Sequence, residues 1–527
     1  MTASTREPPV APQQELSAHW TRRDWLFVAG VIGLAIVLGW LARAQEIGVD
    51  EATQIALAKS ITSGHYRDEY LVGHPVHAQY PPLMSVWFLI VQFFVGPSLD
   101  AVRAVNLILH AASAMLIGDS LRRLGWRALG VASLAVIVLN PALLVLAGSV
   151  RSETLYVALT SVALWSSVRL QRPSSRQGLC TVLAVGAAFL TRTAGISIVG
   201  AMGLVMAQRH RRFAVGLAVS LVAIVGTWFF FSFGRGAGGG GASYANDLSF
   251  VASTPGAFLR HAGLALFEYS IRTPFMQFGL PNLPTKLDTL VAGIGIPVLT
   301  AIGMIRVAKA WPLAAANLIL AMAVVMVWPW TDGRFLTPLV PSIVAMMLVG
   351  TATFATRFLG AKAEKAALAV AMFFALAGAA TAVRAASTGQ RCRIDPEAIA
   401  NPKCNHAESR AIAPASRFLR DSVPRGAVIA TQKNALVNYI SGHQTVVSFD
   451  RAPDGQLAFL APGSGVDYLI LATQGVAVDS DVVDDLLSAC GSLSVVREFA
   501  FGTIVLAPRR SADTRPSACA LLEAIVP

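Results

Sequence analysis

Long apolar runs, separated by short turns that carry most of the arginine and lysine, set what this chain can fold into. Clusters fall at Arg22/Arg23, Arg122/Arg123/Arg127, Arg169/Arg172/Arg176, Arg209/Arg211/Arg212, Arg306/Lys309 and Arg357/Lys362/Lys365. A soluble chain carries about 25% charged residues, and this one carries 14% with 54% hydrophobic. The surface therefore faces lipid, and the chain reads as a polytopic helical membrane protein. Its net charge of +12 would suggest nucleic acid in a soluble protein. Here the charge sits in the turns, where it sets topology, and no nucleic-acid partner is implied.

With all six clusters on the cytoplasmic side, an even number of crossings separates each consecutive pair. Three apolar runs, 25–42, 81–96 and 101–119, lie between the first two clusters, so one does not cross. The run 81–96 opens with Pro81-Pro82 and is the shortest, which makes it an interfacial or re-entrant helix within a long outer loop, 43–100. The other expected spans are 128–147, 153–168, the short pair 178–191 and 193–207, 213–233, 289–305, 311–330, 335–353 and 366–384. Each half of the short pair would rise only about 21 Å. The total is about eleven, with the C-terminus outside. Residues 1–24 form a disordered cytoplasmic N-terminus, residues 25–384 the transmembrane domain, and 234–288 a second outer loop. The run 25–42 is long for a signal-peptide core and reads as an uncleaved first span.

Residues 385–527 are more polar, with helix-like stretches at 408–420 and 434–440. Strand-like runs fall at 427–431, 445–449, 467–472, 495–499 and 503–507. This predicts an extracytoplasmic α/β domain. Four of the five cysteines lie in it; local loop closure favours Cys392–Cys404 and Cys490–Cys519, in an oxidising compartment.

The charge argument puts Asp50, Glu51, Glu153, Arg192, Asp332 and Arg334 on the outer face, at span ends where charge is costly. The motifs around them are Asp50-Glu51, then Gly64-His65-Tyr66, Tyr80-Pro81-Pro82-Leu83, Arg151-Ser-Glu-Thr-Leu-Tyr, Leu190-Thr-Arg192-Thr-Ala-Gly and Arg334-Phe-Leu-Thr-Pro338-Leu-Val-Pro341. In order and spacing this set resembles the polyprenyl-phosphate-dependent glycosyltransferases of the GT-C fold. That group includes the protein O-mannosyltransferases, the lipid A aminoarabinose transferases and the bacterial RgtA/B/C/D-like group. Thr193 departs from the proline usual in the fourth motif.

The resemblance implies an inverting transfer of a pentosyl or hexosyl group at the outer face of a bacterial cytoplasmic membrane. The donor would be a polyprenyl-phosphate-linked sugar, and the acceptor an envelope glycan, lipid or protein. Asp50 is the expected general base, with Glu51 sharing that task or positioning the acceptor; the pair could instead cap a helix start. Arg334 is expected to bind the donor phosphate, against a snorkelling role. Arg192 would bind phosphate or anchor a turn in the headgroups. Glu153 would orient the acceptor, pair with Arg151, or share a divalent metal (Mg, Mn or Ca) with Asp50; metal dependence stays open. His65 and Tyr66 would line the acceptor site. His74 and His77 lack a further ligand at metal spacing and read as loop or acceptor contacts. Tyr269, Arg272 and Gln277 would lie along the membrane surface, in the second outer loop, which opens with the mobile glycine run at 234–241. Trp328 and Trp330 read as interfacial anchors. A transporter or flippase of lipid-linked sugars is the alternative; no internal repeat supports it. A non-catalytic scaffold leaves the outer acids unexplained.

Overall fold

The computed structural model describes residues 20–43, 47–168, 176–209, 222–232, 254–269, 277–278, 293–328, 331–394, 407–447, 457–461, 464–473, 480–509 and 514–525. Its first part is helical. In chain order the helices are α1 (Arg22–Ala42), α2 (Val49–Thr62), α3 (Leu83–Val95), α4 (Leu99–Arg123), α5 (Arg127–Val138), α6 (Pro141–Ala147), α7 (Ser152–Ser166), α8 (Arg176–Thr191) and α9 (Ile196–Arg209). Then come α10 (Val222–Ser232), α11 (Pro255–Phe267), α12 (Ile296–Val307), α13 (Pro312–Val327), α14 (Val340–Leu359) and α15 (Ala363–Ile394).

Among the described residues three helical stretches are long and apolar enough to cross a membrane: α1, α4, and the continuous stretch from Gly333 to Ile394 that holds α14 and α15. The bent pair α5–α6, broken by 58° where Asn140-Pro141 interrupts the ladder, makes a fourth if counted as one span. Most other expected spans are present as apolar helices of 10–17 residues. Helix length thus accounts for three or four spans and does not establish eleven.

At one end of the bundle, Asp24 pairs with Arg127 at 2.7 Å and the Arg122 guanidinium lies 4.4 Å over the Trp20 ring. At the other end, Arg43 pairs with Asp100 at 3.1 Å and Arg393 donates to the carbonyls of Trp40 and Leu41. These contacts hold the two ends of α1 to different neighbours, with the end of α15 beside the end of α1 that follows Trp40.

Within the bundle α12 and α14 cross at backbone contact. A Cβ at Gly303 would overlap the Met346 carbonyl, and one at Gly350 the Leu299 carbonyl. Small residues allow this approach where lipid supplies no hydrophobic drive. Helix α3 keeps Phe93, Phe94 and Val95 exposed beside the outer loop, in keeping with an interfacial element.

The second part holds α16 (Ala407–Ser422), β1 (Val428–Thr431), α17 (Asn434–Ser441), β2 (Gln444–Val447), β3 (Tyr468–Ala472), α18 (Ser480–Ser488), β4 (Leu493–Phe499), β5 (Thr503–Pro508) and α19 (Cys519–Ile525). The sheet order is β2-β1-β3-β5-β4, with β1 parallel to β2 and β3, and β5 antiparallel to β3 and β4. Every strand expected from the sequence is present. Cys490 and Cys519 form the expected disulfide. Cys392 is disulfide-bonded, while its expected partner Cys404 lies outside the described residues.

This domain does not stand apart from the bundle. Leu71 of the first outer loop pairs with Thr445 of β2, and the Thr445 N–H donates to the Tyr70 carbonyl at 2.9 Å. Ile47, Ala52, Tyr70 and Leu71 share one hydrophobic core with Ala411, Ile412, Leu436 and Val505. A shared dry core requires loop and domain to lie on the same side of the membrane.

Candidate active site

Asp50 stands in the first turn of α2, where the backbone turns out of Gly48 into the helix. Its Oδ1 accepts from the Tyr80 hydroxyl at 3.1 Å, and its Oδ2 from Arg334 Nη1 at 2.5 Å. Arg334 reaches it from the 3₁₀ turn Gly333–Phe335, which Asp332 caps by accepting from the Arg334 backbone N–H at 2.9 Å. Asp332 also pairs with the Arg334 side chain at 3.0 Å. Burial pushes the Asp50 carboxyl up, but Arg334, Arg151 and the Tyr80 hydroxyl outweigh it and hold the group down at about 2.

A second ion pair lies beside the first. Glu153, buried in the first turn of α7, meets Arg192 at 2.6 Å, and Arg192 also donates to Ser152 Oγ at 3.1 Å. Arg192 is the extended residue that joins α8 to a 3₁₀ turn, Thr193–Gly195. Only glycine fits at 195, because a Cβ there would lie 2.6 Å from the Phe189 backbone. The tight turn that aims Arg192 thus explains the glycine in its motif.

A cleft opens beside these pairs. Its lining combines polar Tyr80, Ser152, Tyr156, Arg192 and Thr193 with apolar Ala321, Val324, Val325, Trp328, Phe335, Pro338 and Leu339. Such lining suits a ligand with an anionic head and a hydrocarbon tail. Trp328 therefore lines the cleft; Trp330, Arg272 and the glycine run lie outside the described residues.

Several residues take other places than expected. Glu51 is fully buried, and both its oxygens accept backbone N–H groups, from Gly48 at 3.1 Å and Val150 at 2.9 Å. It caps α2 and ties it to the turn before α7. His65 and His74 are exposed, and His74 contacts Gln444 of the α/β domain. His77 is buried against Asp68, while Tyr66 donates to the Tyr80 carbonyl. Tyr269 and Gln277 do not lie on the membrane surface. Both are buried, and Gln277 Nε2 donates to the Gly333 carbonyl at 2.8 Å while its Oε1 accepts from Thr337, bracing the turn that carries Arg334. The residue that sequence reasoning quoted without a role is Tyr80. Its signal was the double proline behind it, which fixes the backbone that aims the ring.

Among the described residues no group of three His, Cys, Asp or Glu is gathered that could hold a metal ion. Asp50 and Glu153 each face an arginine. Each carboxylate is thus held by an arginine and not by the other.

By sequence, no family model and no curated protein matches the chain. Solved structures do match. ArnT from Cupriavidus metallidurans, bound to undecaprenyl phosphate, superimposes with a TM-score of 0.53 at 15% identity, covering 93% of this chain and 99% of that one. The Archaeoglobus fulgidus oligosaccharyltransferase tethered to an acceptor peptide gives 0.52 at 12% identity, over 86% and 70%. AglB from the same organism, in complex with an inhibitory peptide and a dolichol-phosphate, gives 0.52 at 11%, over 94% and 75%. The chain has the GT-C fold. The GT-C resemblance read from short motifs thus meets an independent structural likeness over nearly the whole chain.

Proposed function

We propose that this chain is an inverting glycosyltransferase that moves a sugar from a polyprenyl-phosphate donor to an envelope glycan, lipid or protein. The reaction takes place at the outer face of a bacterial cytoplasmic membrane. One observation carries the reading. Asp50 and Arg334, 284 positions apart, meet beside a cleft: Tyr80, which donates to Asp50, lines it together with Arg192 and a set of apolar side chains.

The isoprenoid tail lies along Val324, Val325 and Leu339, and the phosphate comes to Arg334 and Arg192. Arginine suits it because the planar fork matches phosphate oxygens. The acceptor hydroxyl gives its proton to Asp50 and its oxygen bonds to the anomeric carbon from the face opposite the phosphate. The sugar–phosphate C–O bond breaks and its electron pair passes to the phosphate oxygen, where Arg334 stabilises the charge.

Paired with Arg334, the Asp50 carboxylate is held down and its basicity is low. A donor phosphate competes for Arg334. As the arginine turns to phosphate, Asp50 loses its strongest cation and burial raises its basicity. The donor thus prepares the base, which favours donor-first binding. The ligands bound to ArnT and AglB, undecaprenyl phosphate and a dolichol-phosphate, are both polyprenol phosphates and support a lipid phosphate as the kind of ligand.

The test uses the purified chain in lipid nanodiscs with polyprenyl-phosphate sugars. Asp50→Asn is expected to fold, with some loss of thermal stability from the broken Arg334 pair, and to transfer nothing. Full transfer by that variant removes Asp50 as the base. Mass spectrometry of envelope glycans and glycolipids from a deletion strain then names the sugar and the acceptor.

A further inference from the structure

His77 and Asp68 take no part in the chemistry above, yet they are among the most deeply buried polar residues of the outer loop, 1% and 2% exposed. Their Nδ1 and Oδ1 atoms lie 2.7 Å apart. The other ring nitrogen, Nε2, accepts from the Tyr80 backbone N–H at 2.8 Å. An atom that accepts this bond carries no proton, so the proton sits on Nδ1 and is donated to Asp68. The carboxylate therefore fixes the tautomer.

The imidazole also stacks on the Tyr80 ring, with centroids 5.5 Å apart and planes at 26°. Tyr66 closes the assembly: its ring meets His77 edge-on at 5.5 Å and its hydroxyl donates to the Tyr80 carbonyl at 2.7 Å. Both backbone polar groups of Tyr80 are thus held by side chains, and the next two residues are prolines. The product of this bracing is a single placed atom, the Tyr80 hydroxyl, 3.1 Å from Asp50 Oδ1.

We propose that Asp68 and His77 are positioning residues that act through Tyr80 to hold the Asp50 carboxylate in its reactive orientation once the donor phosphate has drawn Arg334 away. This rests on the reading of Asp50 as the base. In the resting site two donors orient the carboxylate, and one of them leaves when donor binds. Tyr80 then keeps one oxygen occupied and the other aimed at the acceptor. The dyad serves turnover rather than donor affinity, because Tyr80 reaches Asp50 and the donor phosphate is met by arginine.

Asp68→Asn tests the carboxylate. An amide keeps one oxygen for the Nδ1–H but loses the charge that holds the ring, so Tyr80 is placed less firmly. Tyr80→Phe removes the hydroxyl and keeps the ring. Tyr66→Phe is a milder variant that loosens Tyr80 without touching a buried charge, and it covers the case in which Asp68→Asn does not fold. Transfer is measured with a polyprenyl-phosphate sugar in nanodiscs. Each single variant is expected to lower kcat on the order of tenfold, and Asp68→Asn and Tyr66→Phe, which keep the Tyr80 hydroxyl that lines the cleft, leave donor KM unchanged. Because all act through one hydroxyl, Asp68→Asn or Tyr66→Phe adds nothing in the Tyr80→Phe background, whereas independent effects would multiply to on the order of a hundredfold. Multiplying losses, or a loss carried by donor KM in Asp68→Asn or Tyr66→Phe, overturn the dyad while Asp50→Asn remains inactive. An active Asp50→Asn instead overturns the function reading, and the dyad's role with it.

Discussion

Glu51 offers the sharpest division between two roles for a carboxylate in this site. Chain position alone pairs it with Asp50 as a catalytic acid. Its surroundings make it a clamp: no exposure, and one backbone N–H on each oxygen, from Gly48 and from Val150. Glu51→Gln keeps the shape and one acceptor oxygen. The other position becomes an NH₂ facing a backbone N–H that has no water to turn to. A hydrogen bond to a charged group is worth about 1.5–3 kcal/mol, and a buried donor left without a partner costs about 1–3 kcal/mol. The two overlap, so the expected loss is about 2–4 kcal/mol of stability.

Thermal unfolding in detergent, followed by fluorescence, measures this directly. The variant is expected to melt several degrees below wild type while the surviving folded fraction retains most of its turnover. The sign is opposite for a catalytic group, whose neutral isostere folds normally and stops turning over. A Glu51→Gln protein that melts with wild type and has lost transfer refutes the clamp.

Other outcomes follow from the same geometry. Asp50 is held near 2, so its ionised form persists at every pH above that value and is lost only as pH falls through about 2. In Arg334→Gln the raising effect of burial loses its main opponent, and the acid limb of residual kcat/KM is expected at higher pH; an unmoved limb refutes the pairing. Glu153→Gln strands Arg192 beside a neutral amide, which costs about 3–5 kcal/mol in thermal unfolding, and Glu153→Gln/Arg192→Gln together recover part of the loss. Replacing both Cys490 and Cys519 by serine opens a loop with a sequence separation of 29. Chain entropy puts the loss at about 3.5 kcal/mol, readable as earlier unfolding of the α/β domain.

The fold was legible where one physical rule acts along the chain. Long apolar runs marked the helices, and Asp24–Arg127 and Arg43–Asp100 hold the two ends of α1. Short apolar runs marked the strands, and β1 to β5 lie within a few residues of their expected places. What could not be read is tertiary. Nothing local says that Thr445 will pair with the first outer loop. The continuation of α15 to Ile394, past the expected end at 384, follows from contacts such as Arg393 with the Trp40 carbonyl, 353 positions away.

The site was legible as a set of charges and not as a set of pairs, and the reason is physical. Motifs assign each charged residue to a ligand: Arg334 and Arg192 to phosphate, Asp50 and Glu153 to the acceptor. A half-buried site without ligand must neutralise the same charges internally, since isolated charge is costly there. The resting structure accordingly joins Arg334 to Asp50 and Arg192 to Glu153. The two descriptions agree if ligands exchange with these internal partners. A phosphate entering between Arg334 and Asp50 substitutes one anion for another around the arginine and releases the carboxylate for its proton. The resting ion pair then also keeps the base from acting before a donor has arrived.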